Sequence, residues 1–143
     1  MMRLNVLNKF DIFFMDVALR SAELSHCKRR KVGCVIAKNN TIISVGYNGQ
    51  PAGGSNVCED EDGLTKYDTV HAEDNALRHL MKSHESSIGA ELYVTLQPCE
   101  RCASMIIQSG IKTVYYHQEY RCSNGVDLLI QNDIDVVRLF DYD

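Results

Sequence analysis

The stretch from residue 71 to residue 102 constrains this chain more than any other. It opens with the motif HAE at residues 71–73 and closes with PCERC at residues 98–102. One imidazole and two thiolates form a borderline-soft donor set, which suits zinc better than magnesium or calcium. Three protein ligands leave one coordination position for water, as catalytic zinc sites do, whereas structural sites use four ligands. The spacing therefore predicts a catalytic zinc held by His71, Cys99 and Cys102.

Glu73 is the candidate general acid and base of this site. It lies two residues after His71 at the start of a predicted helix, where its carboxylate can reach a water at the metal without binding the metal itself. Two helix starts would also direct partial positive charge at the thiolates. The alternatives are a structural zinc closed by Cys58 or Cys122, or a disulfide between Cys99 and Cys102. The combined order and spacing favours the catalytic site.

Length and composition indicate a single domain over residues 1–143. The chain is 45% hydrophobic and 24% charged, as is ordinary for a globular protein. Its formal net charge of −4 argues against a nucleic-acid partner, since domains that bind phosphate backbones are usually basic. No signal-peptide core or membrane span is evident in the sequence. We therefore expect a cytoplasmic protein whose six cysteines are thiols or metal ligands.

Hydrophobic periodicity predicts the element order αββαβαβαβ. Helices are expected at residues 9–25, 71–84, 99–109 and 125–132. Strands are expected at residues 32–37, 41–47, 92–96, 113–116 and 135–139. The first two strands form an antiparallel hairpin, and alternating helices and strands then imply parallel crossovers. The predicted architecture is a three-layer α/β/α sandwich around a mixed five-stranded sheet. The first helix is expected to pack its large apolar residues, Phe10, Phe13, Phe14 and Leu24, into the core.

Two irregular segments are candidates for ligand binding. Residues 25–31 form a basic run, either a solvated turn or a phosphate-binding segment. The loop at residues 48–69 opens with NGQPAGG, and loops of this length in compact domains tend to be functional or disordered. Its glycines let the backbone approach a ligand, and Asn48 is suited to reading a sugar or base. The acidic cluster at residues 59–62 is interpreted as a solvated loop tip.

Five sequence blocks carry a resemblance to a known family. They lie at residues 27–36, 46–53, 71–77, 93–99 and 102–111, and the resemblance that they carry extends over nearly the whole chain. With them the chain resembles the cytidine and deoxycytidylate deaminases, most closely the bacterial and phage type of dCMP deaminase. The glycine-rich block, together with Asn75, points to a deoxynucleoside monophosphate. The resemblance implies a cytidine deaminase-like fold and zinc-dependent conversion of dCMP to dUMP and ammonia, which supplies thymidylate synthesis.

The same resemblance implies roles for individual residues. His71, Cys99 and Cys102 would hold zinc, Glu73 would shuttle protons and Asn48 would contact the nucleoside. The 5′-phosphate needs cationic or hydroxyl partners, for which the candidates are Arg29, Arg30, Tyr120 and Arg121. Many family members are homo-oligomers activated by dCTP with Mg²⁺ and inhibited by dTTP, and both a dimer and a hexamer remain open here. The resemblance places the effector at the loop of Gly49, Gly53 and Gly54.

Departures from the family leave further alternatives open. Some relatives bind a second, structural zinc at positions like Cys27 and Cys58. Because residues 63–70 offer no His or Cys to complete such a site, we expect no second zinc. The competing functions are a deaminase of cytidine, guanine or tRNA adenosine, and a catalytically silent, zinc-stabilised interaction domain. Glu73 weighs against the silent domain, which has no need of a carboxylate beside an open zinc position.

Overall fold

The structure, a computed structural model, describes residues 8–51 and 53–139. Its elements follow the predicted order: α1 (Lys9–Ala22), β1 (Gly33–Lys38), β2 (Thr41–Tyr47), α2 (Ala72–Met81), β3 (Glu91–Leu96), α3 (Glu100–Gln108), β4 (Thr113–Gln118), α4 (Asn124–Gln131) and β5 (Asp135–Arg138). The helices α1 and α2 end three residues earlier than predicted. None of the described helices has the length and apolarity needed to cross a membrane. The first seven residues, which entered the signal-peptide expectation, lie outside the described residues.

The five strands form one mixed sheet in the order β2-β1-β3-β4-β5. Strand β1 pairs antiparallel with β2 and β3, whereas β3, β4 and β5 run parallel to one another. The β1–β2 hairpin turns at Asn39 and Asn40, whose φ angles of 52° and 57° lie in the left-handed region that asparagine tolerates. The predicted mixed sheet and its hairpin are confirmed.

The two faces of the sheet bury different cores. Helices α2, α3 and α4 cover one face and enclose a mainly aliphatic cluster. Helix α1 covers the other face, where its Phe14 belongs to the same buried cluster as Tyr93 and Tyr115 of the sheet. The rings of Tyr93 and Tyr115 stack with centroids 4.4 Å apart. The prediction for the first helix is wrong at Phe10, Phe13 and Leu24, which are exposed. Only one stripe of α1 meets the sheet, and Phe10 and Phe13 lie outside that stripe, whereas Leu24 lies beyond the end of the helix at Ala22.

The N-terminal turn of α2 is fixed against the end of β2. A Cβ atom on Gly46 would lie 2.5 Å from the backbone nitrogen of Ala76, so the helix and the strand touch backbone to backbone. Ser44 donates from its hydroxyl to the Ala76 carbonyl at 2.6 Å, and Asn75 donates from its amide to the Tyr47 carbonyl at 2.8 Å. These contacts set the position of residues 71–73, which precede and open the helix.

Candidate active site

Three metal donors converge where α2 and α3 begin. His71 and Cys99 are the N-cap residues of the two helices, and Cys102 lies in the first turn of α3. The Nδ1 atom of His71 lies 3.2 Å from Cys102 Sγ and 3.6 Å from Cys99 Sγ. All three donor atoms lie within 4.8 Å of one another. The sequence separation of 28 to 31 residues between the histidine and the thiols is therefore closed by the fold.

The donor set fits zinc. Nitrogen and sulfur donors at these separations can share one tetrahedral ion and leave a coordination position open. In the part of the chain that the structure describes, neither Cys58 nor Cys122 joins this group. Cys99 and Cys102 are free thiols and form no disulfide with each other. The alternatives of a four-ligand structural zinc and of a disulfide pair at this site do not match the geometry.

The local electrostatics favour a thiolate at Cys99. Its pKa is lowered to about 3, chiefly by the hydrogen bond from the Cys102 thiol and further by the hydrogen bond with His71. The pKa of Cys102 is raised because this thiol keeps its proton to bond to Cys99. The hydrogen bond with Cys99 also raises the pKa of His71. Both helix starts add partial positive charge, which favours anionic sulfur.

Glu73 is a buried carboxyl in the first turn of α2. Glu73 is only 4% exposed, and burial raises the pKa of its carboxyl group from 4.5 to about 7. The neighbouring charge of His71 acts in the opposite direction. A carboxyl group with a pKa near neutrality can both accept and release a proton under physiological conditions. Glu73 therefore has the protonation behaviour expected of a proton shuttle.

A cavity of about 480 Å³ opens at this group. Its volume suits a small molecule such as a nucleotide. The wall includes His71 and Glu73 together with every residue predicted for substrate binding, namely Asn48, Arg29, Arg30, Tyr120 and Arg121. Val32 and Leu96 supply apolar wall. The fold thus brings Arg29 and Arg30 together with Tyr120 and Arg121, which lie about 90 positions later in the sequence.

The cationic part of the wall is built around Tyr120. The guanidinium carbon of Arg30 lies 5.4 Å from the Tyr120 ring centroid, and that of Arg121 lies 5.9 Å from it. Both distances are within the range of cation–π attraction. The basic run at residues 25–31 therefore faces a cavity through Arg29 and Arg30, which favours the interpretation as a ligand-binding segment over a solvated turn.

Asn48 lines the cavity and also holds its wall together. Its Oδ1 atom accepts from the Val32 backbone N–H at 2.9 Å, and its Nδ2 atom donates to the Arg30 carbonyl at 2.9 Å. A carboxamide nitrogen carries two hydrogens, so one donor remains for a ligand. Sequence reasoning predicted the position of Asn48 in the site but missed this bracing role.

The sequence analysis missed one residue of the site, Gln97, and one residue that supports it, Glu59. Glu59 accepts from the backbone N–H groups of Lys28 and Arg29, both at 3.0 Å, so its interpretation as a solvated loop tip is wrong. Gln97 is 6% exposed, lines the cavity and bonds to the segment that carries Tyr120. For Gln97 the signal was its place next to Pro98 and Cys99. For Glu59 the sequence offers no comparable signal.

Cys27 and Cys58 form a disulfide across 31 residues. The expectation that all six cysteines are thiols or metal ligands is therefore wrong for this pair. The physical reason is the docking of the long loop on the basic run through Glu59, which brings the two sulfur atoms together. Donor atoms of both cysteines and of Glu59 lie within 4.8 Å of one another, and the expectation of no second zinc stays a prediction.

The glycines expected at an effector site lie in the loop after β2. Gly49 forms an isolated antiparallel bridge with Val70, through N–H to carbonyl distances of 3.0 and 2.7 Å. Gly53 has a φ angle of 87°, and an added Cβ there would meet open space. Gly54 donates its backbone N–H to the Pro51 carbonyl at 3.2 Å. Cavity-lining residues include Asn48 but none of these three glycines.

Comparison with known proteins identifies the family. Residues 8–118 match the family described as the cytidine and deoxycytidylate deaminase zinc-binding region. The chain is 40% identical over 124 residues to a deoxycytidylate deaminase of Mycobacterium phage D29, which covers 77% of this chain and 95% of that protein. The chain belongs to this family. It is therefore a zinc-binding, deaminase-type hydrolase, as the sequence analysis predicted.

Two further known proteins are similar to the chain. It is 43% identical over 113 residues to ComE operon protein 2 of Bacillus subtilis, which covers 76% of this chain and 59% of that protein. A crystal structure of dCMP deaminase from the cyanophage S-TIM5, in complex with dCMP and dUMP, has a TM-score of 0.90 at 42% identity. That comparison covers 94% of this chain and 100% of the phage chain. The cytidine deaminase-like fold is confirmed.

Proposed function

We propose that the protein catalyses hydrolytic deamination of dCMP to dUMP and ammonia in the cytoplasm, supplying thymidylate synthesis. The observation that carries this proposal is the shared cavity, in which His71 and Glu73 occur together with Arg29, Arg30 and Arg121. A free base or nucleoside has no use for this cationic wall, whereas a 5′-phosphate does. The name of the phage D29 relative and the dCMP and dUMP bound to the cyanophage enzyme support the same substrate.

Glu73 would carry the protons of this reaction. Zinc held by His71, Cys99 and Cys102 would supply Lewis-acid activation of water when bound. The Glu73 carboxylate would take a proton as the water oxygen adds to C4 of cytosine. It would deliver this proton to ring N3, then take the second proton from the C4 hydroxyl and deliver it to the exocyclic amine, so that the C4 carbonyl forms, the C4–N4 bond breaks and ammonia leaves. The buried position of Glu73 keeps its pKa near 7 and allows both directions of transfer.

The remaining wall residues would orient the nucleotide. Arg29, Arg30 and Arg121 would bind the 5′-phosphate with charge-assisted hydrogen bonds, and the Tyr120 hydroxyl would add a further donor. Asn48 would contact the nucleoside with the amide hydrogen that its two backbone contacts leave over. Cationic groups on two separate segments fix both the position and the direction of a bound monophosphate.

Regulation forms a second part of the proposal. The loop of Gly49, Gly53 and Gly54 would bind dCTP with Mg²⁺ as activator or dTTP as inhibitor, in a homo-oligomer that is a dimer or hexamer. The supporting observation is the bridge from Gly49 to Val70, which immediately precedes the zinc donor His71. A change in this loop would therefore act on the start of α2. Turnover with each effector, and mass by light scattering, test this part.

The substrate assay comes first. Purified zinc-loaded protein is incubated with dCMP, and the fall in cytosine absorbance is followed, with cytidine and adenosine as controls. We expect rapid loss of dCMP and little loss of either control, because neither control carries a 5′-phosphate. Turnover of cytidine without preference for dCMP would reject the phosphate site. Absence of any turnover would reject the deaminase proposal.

Replacement of Glu73→Gln tests the proton shuttle. The amide keeps the size of the side chain but cannot accept the proton, so we expect turnover to fall about 10²- to 10⁴-fold while zinc remains bound. Zinc content by mass spectrometry and the dCMP assay give the two readouts. The matched control is Glu100→Gln, which alters an exposed carboxylate in the first turn of α3 and should keep near wild-type turnover.

A further inference from the structure

Gln97 is a buried polar residue between the zinc donors and the cationic wall. It directly follows β3 and precedes Pro98, and its backbone N–H donates to the Gln118 carbonyl at 2.9 Å, which extends the pairing of β3 with β4. Its side chain makes two more contacts. The Oε1 atom accepts from the Tyr120 backbone N–H at 3.2 Å, and the Nε2 atom donates to the Cys122 carbonyl at 3.2 Å.

The segment that Gln97 holds is irregular and mostly exposed. It runs between β4 and α4 at residues 119–123, and its flanks are fixed on either side. On the β4 side the fixing contact is the bond to Gln118. On the α4 side a Cβ atom on Gly125 would lie 2.2 Å from the Pro98 carbonyl, so the helix start touches the Pro98 backbone. Gln97 secures the middle, where Tyr120 and Arg121 face the cavity.

Both hydrogen bonds of the Gln97 side chain are made with backbone atoms. They therefore fix the path of the chain at Tyr120 and Cys122, on either side of Arg121. The guanidinium groups of Arg30 and Arg121 both lie against the Tyr120 ring, so the position of that ring affects the whole cationic cluster. A buried carboxamide with both polar atoms paired is a rigid brace, because breaking either bond leaves a polar group unsatisfied.

We infer that Gln97 is a positioning residue, which holds Tyr120 and Arg121 where they bind the 5′-phosphate of the substrate. The inference rests on the proposed function for the identity of the substrate. It assigns Gln97 no contact with the reacting atoms. Loss of the brace should therefore weaken nucleotide binding and leave the chemical step largely intact.

Replacement of Gln97→Met tests the brace. Methionine keeps the length of the side chain and suits a buried site, but removes both hydrogen bonds. We expect KM for dCMP to rise about tenfold, with kcat within about threefold of wild type, as is reasonable for two lost hydrogen bonds. The affinity for dUMP, measured by calorimetry, should fall by a similar factor. Amide exchange should accelerate in a peptide covering residues 118–124.

The matched control is Ser87→Ala at the other end of β3. Ser87 donates from its hydroxyl to the Ser109 carbonyl at 2.6 Å and so fixes a loop remote from the cavity. This variant should change neither KM nor exchange at residues 118–124. Unchanged exchange and dUMP affinity in Gln97→Met would overturn the inference, as would a fall in kcat at constant KM. Failure of the wild-type protein to deaminate dCMP would instead reject the proposed function, and the exchange and dUMP results would still decide the role of Gln97.

Discussion

Two pairs of cysteines lie near the cavity and differ in their chemistry. Cys99 and Cys102 are three residues apart and form no disulfide beside His71, whereas Cys27 and Cys58 are 31 residues apart and form a disulfide. Each pair has a glutamate close by. Glu73 beside the first pair is buried in the cavity wall, and Glu59 beside the second bonds to the backbone of the basic run.

The surroundings of the thiols account for this difference. Cys99 and Cys102 sit at a helix start with an imidazole, which makes a donor set for a soft cation and favours thiolate. Cys27 and Cys58 lie outside the named helices and strands, and the donor group around them in the described residues contains Glu59 and no imidazole. We propose that the first pair holds the catalytic zinc, whereas the second pair closes a loop that contains Arg29 and Arg30 of the cationic wall.

The strongest test of this comparison removes one zinc donor. For Cys102→Ser we expect loss of bound zinc and a fall in dCMP turnover to below about 1% of wild type, because two protein ligands hold zinc poorly. Zinc content and turnover are measured on the same sample. Cys122→Ser, which alters an exposed thiol outside the donor group, should keep both. Full zinc occupancy in Cys102→Ser would contradict the ligand assignment.

A smaller effect is expected from Cys27→Ser. Opening a loop of this length should lower the free energy of unfolding by about 3 kcal/mol, measured by urea denaturation without reductant. KM for dCMP should also rise, because Arg29 and Arg30 follow Cys27 closely in the chain. Wild-type protein denatured with reductant is the control and should match the variant. Wild-type zinc content is expected to be one ion per chain, and a second ion lost in this variant would reject the prediction of no second zinc.

Glu59→Gln should have the smallest effect of the three. The amide oxygen still accepts from the Lys28 and Arg29 backbones but lacks the charge, so we expect a loss of about 1 kcal/mol in unfolding free energy. A rise of about two- to threefold in KM should accompany it, on the same scale of weakened hydrogen bonding. Glu61→Gln, an exposed carboxylate in the same loop, should show neither change. Equal behaviour of the two variants would contradict the bracing role of Glu59.

Much of the fold followed from local patterns. The periods of the apolar residues predicted all nine elements in their order, because helices and strands repeat their buried positions at different intervals. The exposure of Phe10 and Phe13 could not be predicted from the same patterns. Periodicity shows which residues share a face of a helix, but it does not show how much of that face the sheet covers. The end of α1 at Ala22 was not predicted either, because the chain turns there toward residues 25–31.

The sequence by itself predicted the zinc donors and the general acid and base, and it predicted the family that the comparisons confirm. His71 and Glu73 belong to one short motif and Cys99 and Cys102 to another, and within each motif the helix turn sets the spacing, so the residue types alone indicate the chemistry. Tertiary structure alone decided the disulfide and the bracing roles of Asn48, Glu59 and Gln97. Their hydrogen bonds join residues 16 to 31 positions apart, and such contacts depend on how loops fold over one another. No periodic pattern encodes that arrangement.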